Sequence, residues 1–441
     1  MKIVPRFLQR RMSHRPDLLK IVDNVSWLFF DRFLRMGIGL LVGVWIARYL
    51  GPEKFGLLNF VMAFVGLFGA IAVLGLQEII VRDLVRDPSH KEQTLGTAAL
   101  LLLFSGFLAY GLAMVVIFWL RPEDQLARIL VAIFGSTLLL RCSDVAKYWF
   151  ESQVLSKYTV WVQNVFFVIF AAIKVGLILA QAPLVAFVWA MVTEAALVAA
   201  TMLAVLDLSG TRLMKMTMSA RRAKTLLADS WPLLLSGIAV MIYMQIDQIM
   251  LAQMVGENAV GIYSAAVRIS EVWYFLPLAI VASVFPNILQ AREKGEKEYY
   301  SKLQHLYDLM AWLSITVALP MTFLSTFVAT LLFGAPYAAA GPVLAVHVWT
   351  SFFVFLGVAS SRWFVAEGQQ LLLLQKTVLG AAVNVILNLI LIPQYGAIGA
   401  AWTTVFSYSV SDLFADLIHR ETRAMFLMKI KVLNPGRLFG W

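Results

Sequence analysis

The sequence predicts an all-α polytopic membrane protein, with twelve transmembrane helices in two pseudo-symmetric six-helix lobes around a central cavity. Three observations carry this prediction. Of 441 residues, 61% are hydrophobic and only 14% charged, against about 45–50% and roughly 25% in ordinary soluble domains. The apolar residues come in long blocks, such as Thr97–Leu120 and Val378–Ile392, close to the ~20 residues a helix needs to cross a bilayer. The connections are short except for residues 207–230, which divide the blocks six and six.

Taken in order, the spans fall near 25–47, 55–80, 95–120, 127–150, 158–181, 183–206, 231–254, 260–289, 306–333, 341–365, 371–392 and 396–418. The first follows a basic segment, as in a signal peptide. Its apolar run continues past Arg35 to Ala47 with no small-residue cleavage site, so it is read as a retained span. Residues 1–24 are then a basic N-terminus, 25–206 one lobe, 207–230 a basic linker, 231–418 the second lobe and 419–441 a basic tail. Lys and Arg set the orientation. With the N-terminus inside, cytoplasmic segments hold most of the 36 basic residues: Lys2 to Lys20, Arg82, Arg86, Lys91, Lys157, the linker, Arg292 to Lys302, Lys376, and Arg420 to Arg437. The outside loops hold Arg48, Lys54, Arg121 and Arg128. Both termini are therefore expected in the cytoplasm. The net charge of +10 is largely this bias, so nucleic acid is not an expected partner, and the basic linker and tails suit anionic lipid headgroups.

The lobes share a motif. "LGPEKFGLLN" (Leu50–Asn59) follows the first span and "VGENAVGIYS" (Val255–Ser264) follows the seventh, each with Gly-x4-Gly. An even number of spans per lobe makes the repeats parallel, a plan transporters use with the substrate site at the repeat interface. Pro277 and Pro320 interrupt spans and are expected to kink them, whereas Pro232 after Ser230 reads as a helix start. The single Cys142 lies in an apolar block, so no intrachain disulfide forms. His14, His90, His305, His347 and His419 are scattered without metal-ligand spacing. No nucleophile elbow, P-loop or dinucleotide motif occurs in a suitable context, and neither a cofactor nor a metal is expected.

Charge inside the spans carries the functional signal. The first span contains Asp31, Arg32 and Arg35. If it began after Arg35, only Met36–Ala47 would remain before Arg48, too few to cross, so the span must reach back to about Val25 and place Arg35 near its midpoint. An arginine there costs at least about 2.5–3.5 kcal/mol. Asp31 can pair with Arg35 at i,i+4, and Arg32 has no partner in its own helix. Arg32, Arg35, Gly39 and Gly43 share a polar, small face suited to a cavity or a helix interface. Arg141, Lys147, Lys174, Arg268 and Arg362 are also intramembrane. Counted at about 1.5 Å per residue, Arg35 lies roughly 24 Å from Gly51, Arg268 roughly 18 Å from Gly256, Arg141 roughly 20 Å from Arg128 and Lys174 about 10 Å from Gln181. Cations from both lobes thus reach similar depths, and an anion-accepting central cavity is expected. Structural alternatives stay open. Arg141, Asp144, Lys147 and Glu151 can form an ion ladder, Arg268 and Glu271 can neutralise each other, Lys174 can snorkel, and Arg362 suits a cytoplasmic flank.

The intramembrane acids are Asp247, Glu271, Glu194, Asp412 and Asp416. A buried carboxylate can carry a proton or ligate sodium, and Asp247 and Glu271, with Asp31, are the candidates for ion coupling. The alternative is that each is a permanent arginine partner.

Several stretches have a familiar form. "ARYLGPEKFGLLNF" with "LGLQEIIVRDLVRD" (Leu74–Asp87), "VGIYSAAVRISEVWYFLPLAI" (Val260–Ile280) with "VFPNI" (Val284–Ile288), and "YGAIGAAWTTVFSY" (Tyr395–Tyr408) resemble the Wzx-type polysaccharide-biosynthesis flippases. These form the lipid-linked oligosaccharide branch of the multidrug/oligosaccharidyl-lipid/polysaccharide exporter superfamily. The resemblance implies transfer of a polyprenyl-pyrophosphate-linked oligosaccharide between leaflets by alternating access, in a bacterial cytoplasmic membrane. It implies a cation-lined lumen, for which Arg32, Arg35 and Arg268, with Arg141 and Lys174, are the candidates. Membrane lipids, a proton or sodium ion, and other polysaccharide-assembly membrane proteins complete the expected partners.

Three rivals follow. A multidrug antiporter of the same fold would want an acidic lumen. A membrane polymerase or glycosyltransferase would need a sizeable extramembrane domain, and no outside connection is long, so a non-enzymatic transporter is expected. A peptidoglycan-precursor flippase typically has two additional spans.

Overall fold

The computed structural model describes the backbone of residues 16–432 and the side chains of Trp27 and of residues from Phe30 onward. Most of the basic N-terminus and the end of the basic tail, Arg437 included, lie outside the described residues.

Among the described residues there are helices and turns and no strands. Ten stretches are long and apolar enough to cross a membrane. Two of them, Phe30–Arg86 with 57 residues and Gln370–Leu417 with 48, far exceed the ~20 residues of one crossing. Each contains a glycine outside helical geometry: Gly51 (φ 73°, ψ 169°) in helix α1, Pro16–Val73, and Gly396 (φ 56°, ψ −133°) in helix α14, Gln370–Asp412. Gly51 supplies a φ that costs other residues a Cβ clash, and Pro52 then starts the next helical segment with its φ already set.

The break after the first span is confined to Gly51, and the chain is helical on both sides of it. The repeat motif is equally compact, with Gly256 (φ 115°) preceding helix α9, Glu257–Glu271. The second glycines of the two motifs meet. A Cβ on Gly56 would lie 1.8 Å from the Glu257 carbonyl oxygen, and one on Gly261 1.9 Å from that of Pro52. Each motif thus uses its first glycine to turn and its second to admit the other motif's backbone. This reciprocity gives the sequence repeat a physical cause.

The described residues pack as two compact units. One holds the residues up to Tyr49 and Val61–Met241; the other holds Leu50–Phe60 and the residues from Ile242 onward.

The first unit contains α2 (Leu76–Arg86), α3 (Lys91–Leu120), α4 (Gln125–Gly135), α5 (Asp144–Ser152), α6 (Ser156–Leu179), α7 (Leu184–Leu208) and the start of α8 (Ala220–Met254). Two expected spans are broken here. The second stops at Val73, where Leu74 and Gly75 both take positive φ. The fourth passes through a 3-10 segment, Ser136–Ser143, between α4 and α5. Pro232 is not a helix start. Helix α8 begins at Ala220, where Ser219 Oγ accepts the Arg222 amide at 3.3 Å, as an N-cap does. The linker side of α8 is fastened by Arg222 to Asp83 (2.9 Å) and by Arg82 to Asp229 (2.5 Å). Leu76, Ile80, Leu84, Leu95, Leu102, Tyr148 and Leu226 form the core beneath.

The second unit contains α9, α10 (Phe275–Lys294), α11 (Glu296–Phe333), α12 (Ala340–His347), α13 (Thr350–Ala366), α14 and α15 (Arg423–Lys431). A 3-10 turn, Val272–Tyr274, separates α9 from α10, which divides the eighth span just before Pro277; Pro320 lies inside the unbroken α11. Helix α15 belongs to the stretch read as a basic tail. It is packed into the core: Met425, Met428 and Lys429 are buried, beside Leu303, Tyr307, Phe355 and Trp363.

Candidate functional site

Helix α1 runs unbroken to Leu50. A stretch of ~20 residues counted back from the Gly51 turn reaches Asp31, which sets Arg32 and Arg35 near the end of that stretch remote from Gly51. Phe30, Phe33, Leu41 and Trp45 are exposed and form one apolar stripe at about 100° per residue. Arg32 projects roughly 160° from the centre of that stripe, on the side a lipid-facing helix keeps from the acyl chains.

The two arginines differ in environment. Arg35 donates from Nε to Asp31 Oδ1 at 2.7 Å, lies 5.0 Å over the Phe167 ring of α6, and carries a buried Nη2 with no hydrogen-bond partner. Beside it, a Cβ on Gly39 would meet Phe167 at 3.8 Å. The face with Arg35 and Gly39 therefore packs on α6. Arg32 is exposed and makes no ion pair among the described residues.

Two other first-unit candidates are ion-paired. Lys174 bonds Glu194 across α6 and α7 at 2.8 Å, a partner the sequence did not pair with it, and it does not snorkel. Arg141 pairs with Asp144 at 3.6 Å and Lys147 with Glu151 at 3.7 Å. Gln77 also donates to Glu151 at 2.9 Å. The structural ladder is thus present.

In the second unit, Arg268 makes no ion pair among the described residues, Glu271 included; its guanidinium lies 5.4 Å over the Phe55 ring. Phe55 is one turn from Gly51, so the charge is drawn toward the Gly51 turn. Tyr337, edge-on to Phe55 at 6.2 Å, completes the aromatic wall. Glu271 is exposed. Among the described residues Arg32 and Arg268 pair with no carboxylate, while Arg35, Arg141 and Lys174 each have a carboxylate partner within their own unit.

Among the described residues Asp247 has no arginine partner. Only 4% of it is exposed. Tyr263 Oη donates to Oδ2 at 2.8 Å, Thr404 Oγ1 lies 2.8 Å from the same oxygen, and Asn388 donates to Oδ1. Asn384 Oδ1 accepts from Asn388 at 3.0 Å, and the Ala400 carbonyl oxygen lies 2.8 Å from Thr404 Oγ1, sharing its one proton with Asp247. Asn388 Oδ1 and Asn384 Nδ2 are buried and unsatisfied. Carboxylate, amide, hydroxyl and carbonyl oxygens thus converge on one buried point. Hard cations take such oxygen donors, and rotating the Asn388 amide adds another. The sequence signal was local: Asn384 and Asn388 sit one turn apart in an apolar span. Their pairing with Asp247, far away in the chain, had no sequence signature.

A second buried cluster was also missed. Lys376 bonds Asp416 Oδ1 at 2.6 Å and Lys429 bonds Oδ2 at 2.7 Å. Both lysines were counted as solvated cytoplasmic charges, yet they are 5% and 1% exposed. Among the described residues no three His, Cys, Asp or Glu side chains cluster as metal ligands.

Comparison with known proteins gives the family and the fold. The profile of a family described as "Polysaccharide biosynthesis protein" matches residues 21–292, and that of the MatE family residues 232–390. The chain is 31% identical over 189 residues to the "Probable flippase AglR" of Haloferax volcanii, covering 41% of this chain and 39% of the relative. It is 23% identical over 235 residues to a low-salt glycan biosynthesis flippase of the same organism, covering 51% and 49%. The chain thus spans about a third to a half of the curated relatives it matches. Among solved structures, an inward-facing multidrug-resistance MATE family transporter aligns with TM-score 0.69 at 14% identity over 93% of this chain and 98% of that one. The lipid II flippase MurJ, in an inward closed conformation, aligns with TM-score 0.68 at 14% identity over 93% and 91%. At such identities the likeness is one of fold, and the fold is that of the MATE and MurJ transporters.

Proposed function

The chain belongs to the polysaccharide biosynthesis protein family, and from that membership we propose that it is a flippase for a polyprenyl-pyrophosphate-linked oligosaccharide. Twelve crossings, with Gly51 and Gly396 each dividing a long helical stretch, and both termini in the cytoplasm complete the reading, with the cytoplasmic membrane as its place.

The observation that carries it is Arg32: an intramembrane guanidinium, turned away from the apolar stripe, with no carboxylate partner among the described residues. Such a group is costly in a bilayer unless an anion or water meets it. Guanidinium binds phosphate oxygens bidentately through charge-assisted hydrogen bonds. Near the inner end of its span, Arg32 is at the level where a lipid-linked diphosphate begins its passage. Arg268, drawn toward the outer turn and walled by Phe55 and Tyr337, is a second station for the same diphosphate or for the sugar beside it. The polyprenyl tail stays in lipid. The Asp247 pocket takes the coupling ion, proton or sodium.

The test is cellular. Arg32→Ala should fold and reach the membrane normally while lipid-linked precursor accumulates on the cytosolic leaflet; normal polymer export by this variant refutes the reading. A multidrug antiporter is the second reading, favoured by the MatE match and the buried acid Asp247. A drug-resistance assay beside the glycan-export assay separates the two.

A further inference from the structure

The last membrane helix, the part of α14 after Gly396, carries Thr404, Tyr408, Asp412 and Asp416 at four-residue intervals, continued by the 3-10 turn Phe414–Leu417. Residues so spaced lie above one another on one helix face, about 6 Å apart per step. The two ends of this stripe are satisfied. Thr404 is bonded to Asp247, and Asp416 accepts from Lys376 and Lys429. The middle is not. The half-buried Asp412 carboxylate makes no hydrogen bond or ion pair among the described residues; only its main-chain oxygen is taken, by Lys429.

Opposite it stands Tyr243, one turn from Asp247 along α8. Its hydroxyl is buried without a partner, although the residue is only 9% exposed. Its ring lies 4.8 Å from that of Tyr408. Two glycines make the room. A Cβ on Gly357 would sit 2.6 Å from Asp412 Cγ, and one on Gly380 would sit 2.9 Å from Ser411 Cβ and 3.4 Å from Tyr243 Cε2. The phenol end of Tyr243 is thus set beside the residue that precedes Asp412. A buried hydroxyl without a partner costs about 1–3 kcal/mol, and such groups in native proteins usually meet water or an ion.

We propose that Asp412 is a second proton-carrying group of this unit, joined to the Asp247 pocket through the Tyr243 and Tyr408 hydroxyls and water. The path rests on Asp247 being the coupling acid; proton binding by Asp412 does not. The groups around Asp412 select a proton over a metal cation. Lys429 of α15 takes its main-chain oxygen and, with Lys376 of α14, bonds Asp416 one turn on; Tyr408 lies one turn back, with Tyr243 of α8 against it, and Tyr274, in the 3-10 turn before α10, bonds Thr350 of the helix that carries Gly357. Ammonium groups and phenols do not supply the several oxygen ligands a metal needs, whereas one carboxyl oxygen suffices for a proton. In each transfer the Asp412 O–H bond breaks, its proton passes to a hydroxyl oxygen, and that hydroxyl gives its own proton on toward the Asp247 carboxylate. One proton moves and no electron does.

Infrared difference spectroscopy of the full chain in lipid bilayers, stepped from acid to alkaline pH, tests this. The wild type should lose a protonated-carboxyl C=O band on alkalinisation. Asp412→Asn should lack that band and Asp247→Asn should keep it. Tyr243→Phe should keep the band but respond more slowly to a pH jump, a kinetic effect that loss of packing alone does not produce. If Asp412→Asn does not fold, Gly357→Ala displaces the carboxyl and should shift the band. A band unchanged in these variants, or one lost only in Asp247→Asn, overturns the proposal. If Asp412→Asn removes the band while Asp247→Asn leaves the ion dependence of transport unchanged, the fault lies with the coupling role of Asp247.

Discussion

Two arginines three residues apart in one helix have different work to do. Arg35 is anchored by Asp31 and by the face of Phe167, so truncating it leaves a carboxylate alone and an aromatic ring uncovered. Arg35→Ala should therefore lower thermal stability in detergent by about 1–2 kcal/mol, whereas Arg32→Ala should leave the unfolding midpoint unchanged. Equal losses in the two variants would contradict the assignment of one arginine to packing and the other to ligand. The sequence showed that Asp31 could reach Arg35 and that Arg32 had no local partner, because i,i+4 geometry is local. It did not show Phe167, Asn388 or Thr404, because contacts far apart in the chain leave no spacing to read. Lys376 and Lys429 misled for a related reason: near a span end a lysine looks solvated until its acid is found.

At the level of elements, helix ends and breaks were the least legible features. Gly51 and Gly256 were recognised as a repeat, but their turns proved to be single glycines, and Gly56 and Gly261 proved to be points of backbone contact. Gly56→Ala should part the two motifs. A cysteine placed at Asn258, with Cys142 replaced by Ser, should then react faster with an impermeant maleimide; unchanged labelling would mean the contact does not hold the two motifs together. Helix α15 depends on a different device. Lys429, fully buried, is held by Asp416 and by the Asp412 carbonyl. Removing one partner of a buried ion cluster typically costs about 3–5 kcal/mol, so Lys429→Ala should lower the unfolding midpoint well beyond any exposed lysine variant. A shift within experimental scatter would show that α15 is held by Met425 and Met428 alone.

For the whole molecule, composition and block length announced an all-α membrane protein, and the helices and their MATE- and MurJ-like arrangement bear that out. What could be read early was whatever bilayer thickness and charge cost dictate. What could not was the choice among cations, because neutralisation depends on neighbouring helices. Of the five candidate cations, Arg32 and Arg268 have no carboxylate partner among the described residues.

The account depends most on Arg32 binding a diphosphate. Its most direct test is the affinity of purified wild-type and Arg32→Ala protein for a polyprenyl diphosphate, with a variant of the exposed linker residue Lys215, Lys215→Ala, as a folded control. One charge-assisted contact is worth about 1.5–3 kcal/mol, so Arg32→Ala should bind roughly ten- to a hundredfold more weakly while the control binds as wild type. Equal affinity of wild type and Arg32→Ala would contradict the account.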